Sequence, residues 1–380
     1  MSEKRNIFEE VGDNQNTKPA SQPGLIDRGT NAARRGIRAW LIVLFALVVA
    51  MVVVGGLTRL TDSGLSITEW NPVSGALPPM NETAWNEEFE KYKQIPEYQL
   101  QNKGMSLTEF KFIYWWEWGH RQLGRTIGLV WFLGYLGFAA TKRVPVGWHQ
   151  RLIWIGALGG LQGFVGWWMV SSGLEGTMLD VASYRLATHL GLAFIILGYI
   201  GWYILLLGRE ERDLLQARRG KETKLFGMAT GLLHFAFLQI LLGALVAGID
   251  AGRNYPDWPL MAGGILPPDL FALEPWWRNF FEDDGLVQFM HRVAGYLLLG
   301  FAIVAWRRGR QSANSQTRFA FNAVFAMILL QMVLGIVTVL YSAPLHFALV
   351  HQIGAIVTWV LILRVRFLTA YPIQDSLRGS

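Results

Sequence analysis

Trp115–Arg125 reads WWEWGHRQLGR and runs directly into Thr126–Ala140, TIGLVWFLGYLGFAA. The second part is apolar enough to lie inside a bilayer. The first part puts Glu117, His120, Arg121 and Arg125 at or just inside the membrane boundary. Ionisable groups at that depth are expensive and by default mark functional sites. On a helix Glu117 and His120 are i, i+3 neighbours and share a face. Gly124, one turn beyond His120, leaves room beside the imidazole for something flat. Gln288–Tyr296, QFMHRVAGY, repeats the plan with His291, Arg292 and Gly295.

The rest of the chain agrees with a membrane reading. Of 380 residues, 52% are hydrophobic and 16% charged, and the charges avoid the long apolar runs. Eight runs meet the need for roughly 20 apolar residues per spanning helix. They lie near 38–60, 112–140, 149–171, 185–208, 225–248, 287–306, 319–341 and 346–366, which predicts an all-α integral membrane protein. One alternate set of ends and loops carries 23 of the 34 Lys and Arg, and the other carries 6. That bias puts both termini in the cytoplasm. The net charge of +6 belongs to these short loops, so it reflects topology and does not point to nucleic acid. With no cysteine, the chain has no disulfide, thiolate metal site or cysteine nucleophile. Residues 1–30 are polar, and the first apolar run is long enough to span, so no cleavable signal is expected.

Five arginines fall on the unfavoured side: Arg59, Arg121, Arg125, Arg185 and Arg292. Each could snorkel to headgroups. Two of them directly follow a histidine, and a guanidinium fork suits a carboxylate, so anionic partners are expected there.

Two outer loops are long, 61–111 and 249–286. The first carries Trp70 and then GALPP at Gly75–Pro79; the second carries Trp258 and then GGILPP at Gly263–Pro268. Leu161-Gln162 with Gly166 echoes Leu330-Gln331 with Gly335. Residues 38–208 and 225–366 are therefore read as two pseudo-symmetric four-helix bundles of one orientation, related about the membrane normal. A cytoplasmic tail, 1–37, a linker, 209–224, and a second tail, 367–380, complete the domain plan.

His120, His189, His291 and His351 head the second, fourth, sixth and eighth runs, near the outer face. The residue four later is small each time: Gly124, Ala193, Gly295 and Ala355. Two facing imidazoles with small neighbours suit a haem held between helices. The alternative for each is a histidine bonded to a neighbouring helix. Zinc is disfavoured, because no carboxylate–histidine set completes a tetrahedron in both halves. His149 is expected at the interface, His234 bonded to a neighbouring helix, and His346 off the face of His351. Glu117 precedes His120 by three residues, whereas Gln288 takes that place before His291. A carboxylate can carry a proton and an amide cannot. Glu117 is thus either catalytic or the ion-pair partner of Arg121 or Arg125.

With these residues laid out, the chain resembles haem A synthase over 38–366, in its cysteine-free branch. The likeness rests on Gly56-Leu57-Thr58-Arg59-Leu60-Thr61 with Ser63-Gly64-Leu65-Ser66, Glu117 with His120-Arg121, Thr188-His189, His291-Arg292 and His351-Gln352. The resemblance implies two four-helix halves and oxidation of the haem O C8 methyl to a formyl group by two hydroxylations. It implies Glu117, His120 and His189 at the substrate haem. It also implies a haem B held by His291 and His351. The residues themselves, by position and charge, add Arg292, Gly295, Arg121 and Arg125 as further cofactor-binding positions. The expected setting is a bacterial inner membrane, with the haem sites toward the outer face. Expected partners are haem O synthase, membrane lipid and an electron donor of unknown identity, with homo-oligomerisation left open. Two rivals are a di-haem b-type electron carrier and a haem-transfer chaperone. The carrier would place its haems at opposite faces, whereas all four histidines here lie on one side.

Overall fold

The structure, a computed structural model, describes residues 25–174 and 179–373. The tails 1–24 and 374–380 and the loop segment 175–178, all covered by the sequence reading, lie outside the described residues. Twelve helices run in order: α1 Leu25–Leu60, α2 Glu82–Tyr92, α3 Pro96–Leu100, α4 Leu107–Ala140, α5 His149–Val170, α6 Ser183–Leu207, α7 Glu211–Arg219, α8 Thr223–Gly248, α9 Asn279–Glu282, α10 Asp284–Gly309, α11 Ser315–Leu340 and α12 Leu345–Ala370. No strand occurs among the described residues. Eight of these helices are long and apolar enough to cross a membrane, and the chain is a multi-pass membrane protein.

Several helices extend beyond the apolar runs, and capping explains where they start. α4 begins at Leu107, not near 112, because Ser106 and Glu109 form a reciprocal capping box: Ser106 Oγ accepts from the Glu109 amide at 3.3 Å, and Glu109 accepts from the Ser106 amide at 2.8 Å. α10 starts at Asp284 because Asp283 accepts from the Leu286 amide at 2.6 Å. α1 is helical from Leu25, so the expected tail is partly helix. From it Arg34 donates to the carbonyls of Leu206, in the last turn of α6, and of Arg209, just beyond that helix. The linker contains the amphipathic α7, with Leu214 buried.

α1 packs on α4 and α6, α5 on α4 and α6, α8 on α10 and α12, and α11 on α10 and α12. The two sets meet where α6 packs on α8 and α12, and α1 on α12. The main core lies along this seam, with Leu44, Phe194, Leu197, Leu232, Trp359 and Ile362 buried together. The first long outer loop has a core of its own in which Trp85, Phe89, Tyr92, Phe110 and Tyr114 interlock. This small cap sits on the N-terminal end of α4.

Candidate functional site

His120, His189, His291 and His351 all line one cavity of about 390 Å³ between the helices. Each imidazole lies against a glycine of a neighbouring helix. A Cβ built on Gly55 of α1 would stand 3.1 Å from His120 Nε2. On Gly166, Gly243 and Gly335 it would stand 2.9, 3.0 and 3.2 Å from Cε1 of His189, His291 and His351. Any larger residue would push the ring away. The room beside each imidazole therefore comes from across the helix pair. Gly124 instead faces Met51 of α1, so the expected space one turn along the same helix is corrected at His120. Ala193, Gly295 and Ala355 do line the cavity.

Three of these contacts carry a further repeat. Gln162, Gln239 and Gln331 stand one turn before Gly166, Gly243 and Gly335, and each donates Nε2 to the backbone carbonyl of its histidine at 3.0 Å. Each leaves its Oε1 buried without a partner. Two of these glutamines stood out in the sequence. Gln239 was missed, although Leu238-Gln239 with Gly243 spells the same pattern as Leu161-Gln162 with Gly166.

The residues fit a haem. The rings of His291 and His351 are 6.5 Å apart, at 84° to each other. An iron bonded to both nitrogens at about 2 Å would set ring centres about 6 Å apart. Among the described residues no group of three His, Cys, Asp or Glu could hold a metal ion. A metal between two histidines must therefore bring its remaining ligands with it, as a porphyrin does.

Glu117 is 3% exposed and does not line the cavity. Its carboxylate accepts from Ser66 Oγ at 2.8 Å, the Ile67 amide at 2.8 Å, and Arg121 Nε and Nη2 at 3.0 and 2.6 Å. Gln288 is its counterpart in the second half: Nε2 donates to the Ala251 carbonyl at 2.7 Å, and Oε1 accepts from Arg292 at 2.5 Å. The two arginines also pin equivalent loops, Arg121 through the carbonyls of Ile67 and Glu69, Arg292 through those of Tyr255 and Leu260. Arg292 and Gly295 line the main cavity. Arg121 and Arg125 line a separate pocket of about 260 Å³ under the first long loop, where Arg125 donates to the Asn71 and Pro72 carbonyls.

In the sequence Arg59 stands out as an arginine on the unfavoured side and as part of the Gly56–Thr61 motif, with no partner assigned. It bonds Asp62 at 2.8 Å, Asp180 at 3.3 Å and Asp250 at 3.1 Å. It thus ties α1 to the segments carrying Asp180 and Asp250, and Arg59 and Asp250 both line the cavity. Burial pushes Asp180 above the usual carboxylate range while Arg59 pulls it back. The remaining histidines lie outside the cavity. His149 meets Tyr135 Oη at 3.2 Å, and His346 packs on Phe347. His234 bonds the Thr230 carbonyl of its own helix at 2.8 Å, not a neighbouring helix as expected.

The profile of the COX15-CtaA family, described as cytochrome oxidase assembly protein, matches residues 38–363. The chain belongs to the COX15-CtaA family. Curated relatives agree over full length. The chain is 66% identical over 378 residues to "Heme A synthase" of Ruegeria sp. (strain TM1040), covering 99% of both chains. It is 67% identical over 382 residues to the protein of that name from Ruegeria pomeroyi and 64% over 383 residues to that of Roseobacter denitrificans, covering 100% of each chain. The matched residues 38–363 thus include every residue of the cavity described above.

Proposed function

We propose that this chain is a haem A synthase that oxidises the C8 methyl of haem O to a formyl group by two successive hydroxylations, its two halves dividing the work. The observation that carries the reading is the fourfold placement of histidine against glycine around one cavity. The full-length likeness to proteins named for the activity supports it.

In this reading 38–208 and 225–366 are two four-helix bundles, joined by the cytoplasmic linker 209–224. His120 and His189 hold haem O; His291 and His351 hold haem B. When bound, haem supplies the redox chemistry that oxidises the methyl group. The protein's part is to bind, orient and charge the site. The glycines let the rings approach the cavity. Arg292 offers a cation at its outer edge for a propionate. Arg121 and Arg125 act on the haem through the loop they hold. Glu117 keeps a carboxylate one turn outside His120, where Gln288 keeps only an amide. Proton exchange at Glu117 requires one of its three donor groups to give way, and Arg121, which supplies two of the four bonds and is 15% exposed, is the least buried of them. Both termini face the cytoplasm, and the haems lie toward the outer face of a bacterial inner membrane. Haem O comes from haem O synthase; each hydroxylation needs an oxidant as well as the expected electron donor, and loss of water from the second product leaves the formyl group.

The reading is tested in a host that makes haem O but lacks its own haem A synthase. Extracted haems separated by reversed-phase chromatography should contain haem A only when this chain is expressed. Haem O left unconverted beside abundant membrane-inserted protein would overturn it.

A further inference from the structure

The bonds from Gln162, Gln239 and Gln331 to the histidine carbonyls have no part in the chemistry above. A helical carbonyl already accepts the amide four residues on and has a second lone pair free. Each glutamine uses that lone pair from the neighbouring helix, which fixes the height of the histidine relative to its glycine. At His189 and His291 the same amide nitrogen also lies 3.1–3.3 Å from both ring nitrogens. α1 breaks the pattern. Met51 stands one turn before Gly55, and a thioether has no proton to donate. His120 also turns a different edge to its glycine, Nε2 where the other three present Cε1.

We infer that Gln162, Gln239 and Gln331 are positioning residues that lock three of the four histidines, and that Met51 leaves His120 unlocked. His120 is then the ligand that yields when haem in the N-terminal half is exchanged. The inference rests on the haem reading above and deepens it. A synthase must admit haem O and release haem A while keeping its haem B. One unlocked ligand on the substrate side gives that difference without changing any ligand type.

Haem transfer from the intact, detergent-solubilised protein to excess apomyoglobin tests it, followed optically. Gln239→Met should speed loss of haem B about 10- to 100-fold, the usual scale for outer-shell partners of metal ligands. Gln239→Leu should behave alike, since the missing donor is the cause. In the converse variant, Met51→Gln, haem O loaded into the N-terminal half should leave more slowly than from the parent. Parental rates in all three variants, with helicity by circular dichroism intact, would overturn the inference. The control is His291→Ala. If it releases haem B and Gln239→Met does not, only the locking role falls. If it does not, the haem assignment itself is wrong.

Discussion

A carboxylate offers about four acceptor sites, and at Glu117 four hydrogen bonds fill them. Glu117→Gln keeps the shape but cannot ionise or accept as many donors. It should abolish haem A formation and let haem O or a partly oxidised product accumulate, while haem B stays bound. Gln288→Glu should leave the oxidation running. Chromatography of extracted haems reads both; near-normal haem A from Glu117→Gln would reduce Glu117 to an anchor for Arg121 and the first loop. A second residue, Glu97 of α3, is 3% exposed, bonded by Tyr92 Oη at 3.0 Å and Asn102 at 3.2 Å. Burial pushes its carboxyl up to about 8, from 4.5 in an open chain. Between those values the folded loop holds a proton that the unfolded loop has released. Loop stability should be greatest below about 4.5 and fall as pH rises through about 8. Amide exchange in α2 and α3, corrected for intrinsic rate, should show that decline. Glu97→Gln should remove it; an identical decline in the variant would place the titration elsewhere. At this scale the histidines were legible because ionisable residues stand out in apolar runs. Their glycine partners were not, because spacing along one helix says nothing about what the next helix presents.

Helix ends were legible only where hydropathy sets them. The polar extension of α4 back to Leu107 depended on the Ser106–Glu109 capping box, a signal present in the sequence but hidden by the search for apolar residues. The element most exposed to a single change is the outer end of α1, where Arg59 holds Asp62, Asp180 and Asp250 together. Arg59→Leu leaves three carboxylates facing one another. Losing one partner of a fully buried pair costs about 3–5 kcal/mol. These aspartates keep 33–39% of their side-chain exposure, so solvent screening reduces the expected loss to roughly 1–3 kcal/mol. Thermal denaturation in detergent should show a lower midpoint, only partly recovered by Arg59→Lys, since an ammonium lacks the planar fork. An unchanged midpoint would mean the cluster is solvated and adds nothing to stability. Asp180 and Asp250 lie far from Arg59 along the chain and on different elements, so no local pattern could have announced the cluster.

For the whole molecule, the internal repeat carried the most information. The repeat matches His120 with His291, Glu117 with Gln288, and Trp70 with Trp258. The structure adds that equivalent arginines pin equivalent loops. The repeat also isolates the differences, Glu117 against Gln288 and Met51 against Gln239, and the proposed division of labour between halves rests on them. The most direct measurement is the haem B content of four purified variants, by pyridine haemochrome difference spectra. His291→Ala and His351→Ala should each lose low-spin haem B, while His120→Ala and His189→Ala retain it. Haem B unchanged in the first pair, or lost equally from all four with helicity intact, would contradict the account.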